Sequence, residues 1–94
     1  MARPRHAAGG AVVSARQLLA DALGVPVRRV RAFAWGDVST VVDRVRWTIY
    51  DFPSQVTARA RDGRWVSSPV TRRRSVAAAV AECRAALAAM GVSP

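Results

Sequence analysis

The chain has 94 residues, of which 51% are hydrophobic and 22% are charged. This size and composition predict one small domain, and without an apolar run near 18 residues the chain is not expected to cross a membrane. Its fifteen basic residues are all arginine and outnumber six acidic residues, and the resulting net charge of +9 indicates an acidic partner, most often nucleic acid or an anionic membrane surface.

Few residues in the sequence are suited to catalysis or metal binding. Cys83 is the single cysteine, which excludes a disulfide framework and a cysteine-rich zinc site and favours a reducing, cytoplasmic location. His6, the only histidine, falls in residues 1–13, which read as a flexible basic arm ahead of a single α+β domain over 14–91. The acidic residues are scattered. We therefore expect no enzymatic activity, no cofactor and no metal site.

The first predicted element is a helix over 14–23. Ser14 suits the N-cap position, Gln17 is placed to complete a capping box, and Gly24 ends the helix.

Two alternating runs then predict strands over 28–35 and 41–50. In the first run, one face carries Arg29, Arg31, Phe33 and Trp35, opposite Val30, Ala32 and Ala34. In the second, the outward residues are Val42, Arg44, Arg46, Thr48 and Tyr50, and the inward residues are Val41, Asp43, Val45, Trp47 and Ile49. The arginines of both runs are thus predicted to share one side of a sheet.

A third run over 55–61 leads into a hairpin. The pattern points Val56, Ala58 and Ala60 inward and Thr57, Arg59 and Arg61 outward. The dipeptide Asp62-Gly63 is a strong turn signal, and the return strand over 64–68 ends before Pro69. Trp65, beside the turn, is compatible with either the core or a contact surface.

The last element is a helix that ends near Met90 and begins at either Thr71 or Ser75. Its predicted buried face consists of Val76, Val80, Cys83, Leu87 and Met90. An earlier start would place Arg72, Arg73 and Arg74 at the positive end of the helix, as a cradle for phosphate, whereas a start at Ser75 would leave them in a loop.

The predicted fold is α+β, with three or four antiparallel strands and the two terminal helices packed on one face. The other face is then a basic surface with interleaved aromatic residues, suited to phosphates and bases. The candidate nucleic-acid-binding residues are Arg29, Arg31, Trp35, Arg44, Arg46, Tyr50, Arg59, Arg61, Arg72, Arg73 and Arg74.

The stretch QVTARARDGRWVSSPVTRRRSVAAAVAECRAALAAM, residues 55–90, resembles parts of two nucleic-acid-binding modules. One is the arm-binding N-terminal domain of phage-type integrases, and this resemblance implies DNA contact through the sheet by Arg44, Arg46, Arg59 and Arg61. The other is the double-stranded RNA-binding domain, and that resemblance implies phosphate contacts by the arginines of 72–74. That family has a glycine-rich segment where this chain has Ser-Ser-Pro, so duplex DNA is favoured over RNA.

A second hypothesis is a protein-interaction or assembly subunit that binds an acidic protein partner or associates with a second copy of itself. It would use a sheet edge or an alanine-lined face of the last helix, which comprises Ala78, Ala81, Ala85 and Ala88. A stable oligomer that is indifferent to nucleic acid would support this alternative.

Overall fold

A computed structural model describes residues 14–51 and 54–92 of the chain. In chain order its elements are α1 (Ala15–Leu23), a 3₁₀ turn (Val27–Arg29), β1 (Arg31–Ala32), β2 (Val38–Val42), β3 (Val45–Tyr50), β4 (Gln55–Arg59), β5 (Trp65–Pro69) and α2 (Val76–Ala89). The predicted basic arm over 1–13 lies outside the described residues. Within these ranges, neither helix has the length and apolar composition that a membrane-spanning helix requires.

The five strands form one antiparallel sheet in sequence order. The α+β class is therefore confirmed, and the predicted strand number of three or four is corrected to five. Helix α2 packs on β4 and β5 and against α1, and α1 packs on β2. Both helices contribute to one buried core with the sheet, in which Trp47 is only 4% exposed, as its alternation predicted.

The predicted caps largely form. The hydroxyl of Ser14 accepts a hydrogen bond from the Gln17 amide at 3.2 Å, and Gly24 ends α1 in the left-handed conformation at φ 73°. The capping box is incomplete, because the Gln17 side chain donates to Asp21 Oδ1 at 2.8 Å instead of turning back toward the N-cap. At α2, Ser75 is the N-cap, so the later of the two predicted helix starts is the observed one.

The strand predicted over 28–35 is wrong in most of its length. After Pro26 the chain enters a 3₁₀ turn in which the Arg29 amide donates to the Pro26 carbonyl at 3.0 Å. Only the two residues of β1 pair with β2, and the next residues form a turn in which the Gly36 amide donates to the Phe33 carbonyl. Arg29 and Trp35 therefore lie on either side of a strand, not within it.

The single strand predicted over 41–50 is two strands joined by a tight turn. Asp43 and Arg44 adopt positive φ of 51° and 67°, and Val42 pairs directly with Val45, which together define a two-residue hairpin of the type I′ class. The turn inverts the alternation, so Val41 is exposed and Val42 partly buried, the reverse of the prediction. Asp43, predicted to face the core, is exposed in the turn.

The C-terminal half follows the prediction more closely. Val56, Ala58 and Ala60 are buried, and a turn containing Gly63 at φ 98° joins β4 to β5. On α2, the predicted inward residues Val76, Val80, Cys83 and Leu87 are buried, whereas Met90 forms the C-cap and is 40% exposed.

Candidate nucleic-acid interface

One face of the sheet, here called the open face, is covered by neither helix of the described residues. Strand register and alternation assign its side chains to three rows that run across the strands. The rows are Arg31–Ser39–Thr48–Thr57–Ser67, Val41–Arg46–Arg59–Trp65 and Tyr50–Gln55–Pro69. The open face therefore combines a central row rich in hydroxyl groups with arginine and tryptophan side chains on one side of it and a tyrosine on the other.

Four arginines gather at one end of the open face, and we call Arg44, Arg46, Arg59 and Arg61 the arginine cluster. All four line the same hollow of about 280 Å³, together with Val41 and Ala60. The fold brings them together because β2–β3 and β4–β5 are hairpins whose turns lie at the same end of the sheet. The sequence predicted all four on one face, and the structure brings them to one hollow there.

The middle of the cluster places like charges opposite each other. Arg46 and Arg59 are direct cross-strand partners in the β3–β4 register, an arrangement that is mildly destabilising for two cations. In the ranges 14–51 and 54–92, the ion pairs are those of Arg64 with Asp62 at 2.7 Å and Arg74 with Glu82 at 2.7 Å. No carboxylate within those ranges therefore forms an ion pair with the arginine cluster.

Two acidic residues lie beside the cluster, because Asp43 and Asp62 line a further hollow together with Arg44 and Arg61, although neither forms an ion pair with a cluster arginine. Asp62 accepts two hydrogen bonds and an ion pair from Arg64, and the Arg64 side-chain hydrogen bond is the main cause of the lowered pKa of Asp62. Asp43 lines a hollow on the helix side of the sheet, with Trp47 and Arg84, and does not line that of the arginine cluster.

Arg44 holds its place in the cluster at a conformational cost. Its φ of 67° lies in the left-handed region, which costs an L-residue other than glycine roughly 1–2 kcal/mol, and type I′ hairpins normally place glycine there. The two-residue hairpin requires this conformation, since a type I′ turn has positive φ at both central residues and Asp43 adopts it as well.

The predicted basic start of the last helix is not formed. The three arginines precede α2 in a tight turn closed by hydrogen bonds between Thr71 and Arg74, and the Ser75 hydroxyl accepts from the Ala78 amide at 3.1 Å. Arg74 folds back to Ser68 and Glu82, whereas Arg72 and Arg73 are exposed. These two lie beyond the far end of β5, more than about 13 Å from the arginine cluster at about 3.3 Å per strand residue.

The remaining predicted residues are spread over the open face and its margin. Arg31 lies on the edge strand in the hydroxyl row, and Tyr50 lies on β3 at the end remote from the cluster. Arg29 is exposed in the 3₁₀ turn, and its carbonyl accepts a hydrogen bond from Thr40. Trp35 is 66% exposed in the β1–β2 turn, where its ring stacks on Phe33 at 4.8 Å between centroids.

Trp65, whose sequence position is compatible with either the core or a contact surface, is exposed on the open face. Trp65 is 59% exposed and lies directly opposite Arg59 across the β4–β5 pair. Its position after a tight Asp-Gly turn, in phase with the outward residues of β4, is the signal that could have assigned it. Gln55 and Thr57, which were not among the candidates, also face this side.

Residues that could ligate a metal ion do not cluster in the described ranges. No group of three His, Cys, Asp or Glu residues that could hold a metal ion occurs there. Burial raises the pKa of the Cys83 thiol to about 11, and its Sγ lies 3.7 Å from the Val56 carbonyl oxygen in the core.

Comparison with protein-family models, with curated proteins and with solved structures gives no match to this chain.

Proposed function

We propose that this protein is a non-catalytic nucleic-acid-binding protein that contacts duplex DNA through the open face of its sheet. The observation that carries the proposal is the arginine cluster, four guanidinium side chains around one hollow with no carboxylate paired to them in the described residues. Phosphate contacts from arginine provide most of the affinity of such proteins for DNA. A cytoplasmic location, favoured by the lone cysteine, is part of the proposal.

The dimensions of the open face indicate how it would contact a duplex. Five strands at about 4.8 Å spacing make a face roughly 19 Å wide, which exceeds the major groove width of about 12 Å. The whole face therefore cannot enter the groove. We expect the arginine cluster to contact phosphates of the backbone, with the hydroxyl groups of Thr48 and Ser67 as further donors nearby.

The salt dependence of binding tests this proposal. Anisotropy of a labelled random-sequence duplex would be measured between about 50 and 200 mM salt, where each phosphate contact contributes about −0.9 to the slope of log K against log salt. Four contacts predict a slope of about −3.6. Duplex RNA and single-stranded DNA in the same assay decide the class of nucleic acid, and tighter binding of duplex RNA would overturn the choice of DNA.

A matched pair of variants locates the interface. Arg46→Gln combined with Arg59→Gln should reduce the slope by about 1.8, since two phosphate contacts are lost. Arg84→Gln serves as the control, because Arg84 lies on α2 over the Trp47 ring at 5.8 Å, on the opposite side of the sheet. A slope near zero, or an equal loss in the control, would refute binding by the open face.

The alternative of an assembly subunit keeps one structural observation in its favour. The four alanines predicted to form a docking face on α2 are all exposed: Ala78, Ala81, Ala85 and Ala88. Alanine is also the residue of highest helix propensity, so this pattern is expected without any partner. Size-exclusion chromatography with and without duplex separates the two, since a stable oligomer unaffected by DNA would support the alternative.

A further inference from the structure

A second hollow of about 410 Å³ lies on the open face beside the arginine cluster, and we call it the base recess. Its lining residues are Tyr50, Gln55, Thr57, Arg59, Gly63 and Trp65. Arg59 lines both hollows, so the recess begins where the arginine cluster ends. A ligand with a phosphate on the cluster would therefore have its neighbouring group over the recess.

Two aromatic side chains stand at opposite ends of the base recess. Trp65, 59% exposed, lies on β5 in the row of Arg59, and Tyr50, 38% exposed, lies on β3 in the row of Gln55. Two strand spacings and four residues along the strand place their Cα atoms roughly 16 Å apart. A large aromatic residue left exposed on a sheet face is typical of surfaces that stack on planar groups.

Polar side chains of β4 lie between the two aromatic residues. Gln55 offers an amide donor and acceptor side by side, which is the arrangement that pairs with the edge of a nucleobase. The Thr57 hydroxyl oxygen is inaccessible to solvent and has no hydrogen-bond partner among the described residues. The recess therefore presents a stacking surface and the amide of Gln55, whereas the Thr57 hydroxyl would have to become accessible before it could contact a ligand.

The turn beside Trp65 leaves the recess open at that end. Gly63 has φ 98°, and a Cβ built on it would meet no atom within 4 Å. A side chain at this position would both strain the backbone and project into open space at the mouth of the recess.

We propose that the base recess binds a single unpaired nucleobase, stacked on Trp65, while the adjoining phosphate lies on the arginine cluster. This inference rests on the proposed function and specifies its substrate as a duplex that carries an unpaired or displaced base. Within a paired stack both faces of each base are covered by neighbours, so only a base outside the stack can offer its ring to Trp65. The recess thus adds selectivity to contacts that by themselves recognise any phosphate backbone.

The test compares three labelled duplexes of the same sequence in the anisotropy assay. One is fully paired, one carries a single bulged adenosine, and one carries an abasic nucleotide at the same bulge. The abasic duplex has the same backbone and flexibility but no base. We expect the bulged adenosine to bind about tenfold more tightly than the abasic bulge, because one stacked base contributes on that scale.

Variants of two exposed tryptophans show which side chain causes the difference in affinity between the adenosine and abasic bulges. Trp65→Ala should abolish the difference between adenosine and abasic bulges, and Trp65→Phe should restore part of it. Trp35→Ala, a comparably exposed tryptophan in the β1–β2 turn, should leave the difference unchanged. Thermal melts of each variant confirm that the fold is intact.

The possible outcomes separate the two proposals. If the paired duplex binds but the bulged and abasic duplexes bind equally, or if Trp65→Ala keeps the difference, the base recess is refuted and the arginine cluster stands. If no duplex binds at all, the proposed function and this inference both fall.

Discussion

Replacement of Arg44 by glycine should make the protein more stable and a weaker DNA binder at the same time. Arg44 occupies a left-handed position at φ 67°, where glycine avoids a penalty of roughly 1–2 kcal/mol. Glycine also increases the freedom of the unfolded chain, which costs about 0.4–1 kcal/mol. The net expectation is a gain of about 0.5–1 kcal/mol in the free energy of unfolding, or a rise in Tm of roughly 2–8 °C.

The effect on binding comes from the lost charge. One phosphate contact with a slope of about −0.9 contributes about a factor of five to the affinity at about 0.15 M salt. Arg44→Gly is therefore expected to bind a random duplex about fivefold more weakly. Urea or thermal unfolding measures the first effect and fluorescence anisotropy measures the second, on the same preparations.

Arg61→Gly is the matched control. Arg61 lines the same hollow but is not among the residues with positive φ in the described chain. Its replacement should weaken binding by a similar factor but lower the free energy of unfolding, by about 0.4–1 kcal/mol, because only the unfolded-chain effect remains. Reduced stability of Arg44→Gly, or unchanged duplex affinity in both variants, would refute this explanation of the strained arginine.

Three further predictions concern the helix side of the fold. The Cys83 thiol, with its pKa raised to about 11, should react with a thiol reagent at pH 8 only after unfolding, and rapid labelling of the native protein would contradict its burial. The hydrogen bond from Ser68 lowers the pKa of Glu82, so this contribution to stability is present above the ordinary glutamate pKa and is lost as pH falls through the lowered value. In urea unfolding across that acidic range, Glu82→Gln should therefore show a shallower loss of stability than the wild type, and parallel curves would argue against it. Ser75→Ala removes the hydroxyl that caps α2 and should cost about 1 kcal/mol of unfolding free energy, whereas an unchanged value would mean that the bond to the Ala78 amide contributes nothing.

The elements that could be predicted are those whose ends carry strong local signals. Ser14 and Gly24 bound α1, the Asp-Gly turn joins β4 to β5, and apolar spacing identifies the buried side of α2. In these segments the local conformational preference and the tertiary packing agree, so the pattern alone is sufficient.

The segments that could not be predicted are those where tertiary packing overrides the local pattern. Asp43 and Arg44 form a hairpin turn without glycine, so the alternating sequence pattern continues through them and predicts one strand. The two strands nevertheless pair, because the inverted phase brings Val38 and Thr40 into the core opposite Ile49 and Trp47. The spacing of apolar residues cannot reveal this inversion of the alternation, because the two turn residues are strained and carry no turn signal of their own.

The sequence predicts that the cluster arginines face outward, but the structure places one of them in a different kind of element. Arg46 and Arg59 face outward by simple alternation, as expected. Arg44 reaches the same hollow from a turn, although the sequence pattern placed it on a strand. The sequence predicts the arginines before α2 near the start of that helix. Their distance from the arginine cluster depends on which end of β5 leads into α2. The order and direction of the strands in the whole sheet determine this, so the local sequence pattern does not reveal it.

The most direct test of the central claim, that the arginine end of the open face is the DNA-contacting surface, is a map of backbone amide shifts by NMR during titration with a short duplex. We expect the shifted amides to fall in residues 41–46 and 59–65, with the amides of α2 unaffected. Shifts concentrated on α2 and absent from those two hairpin ends would contradict the claim.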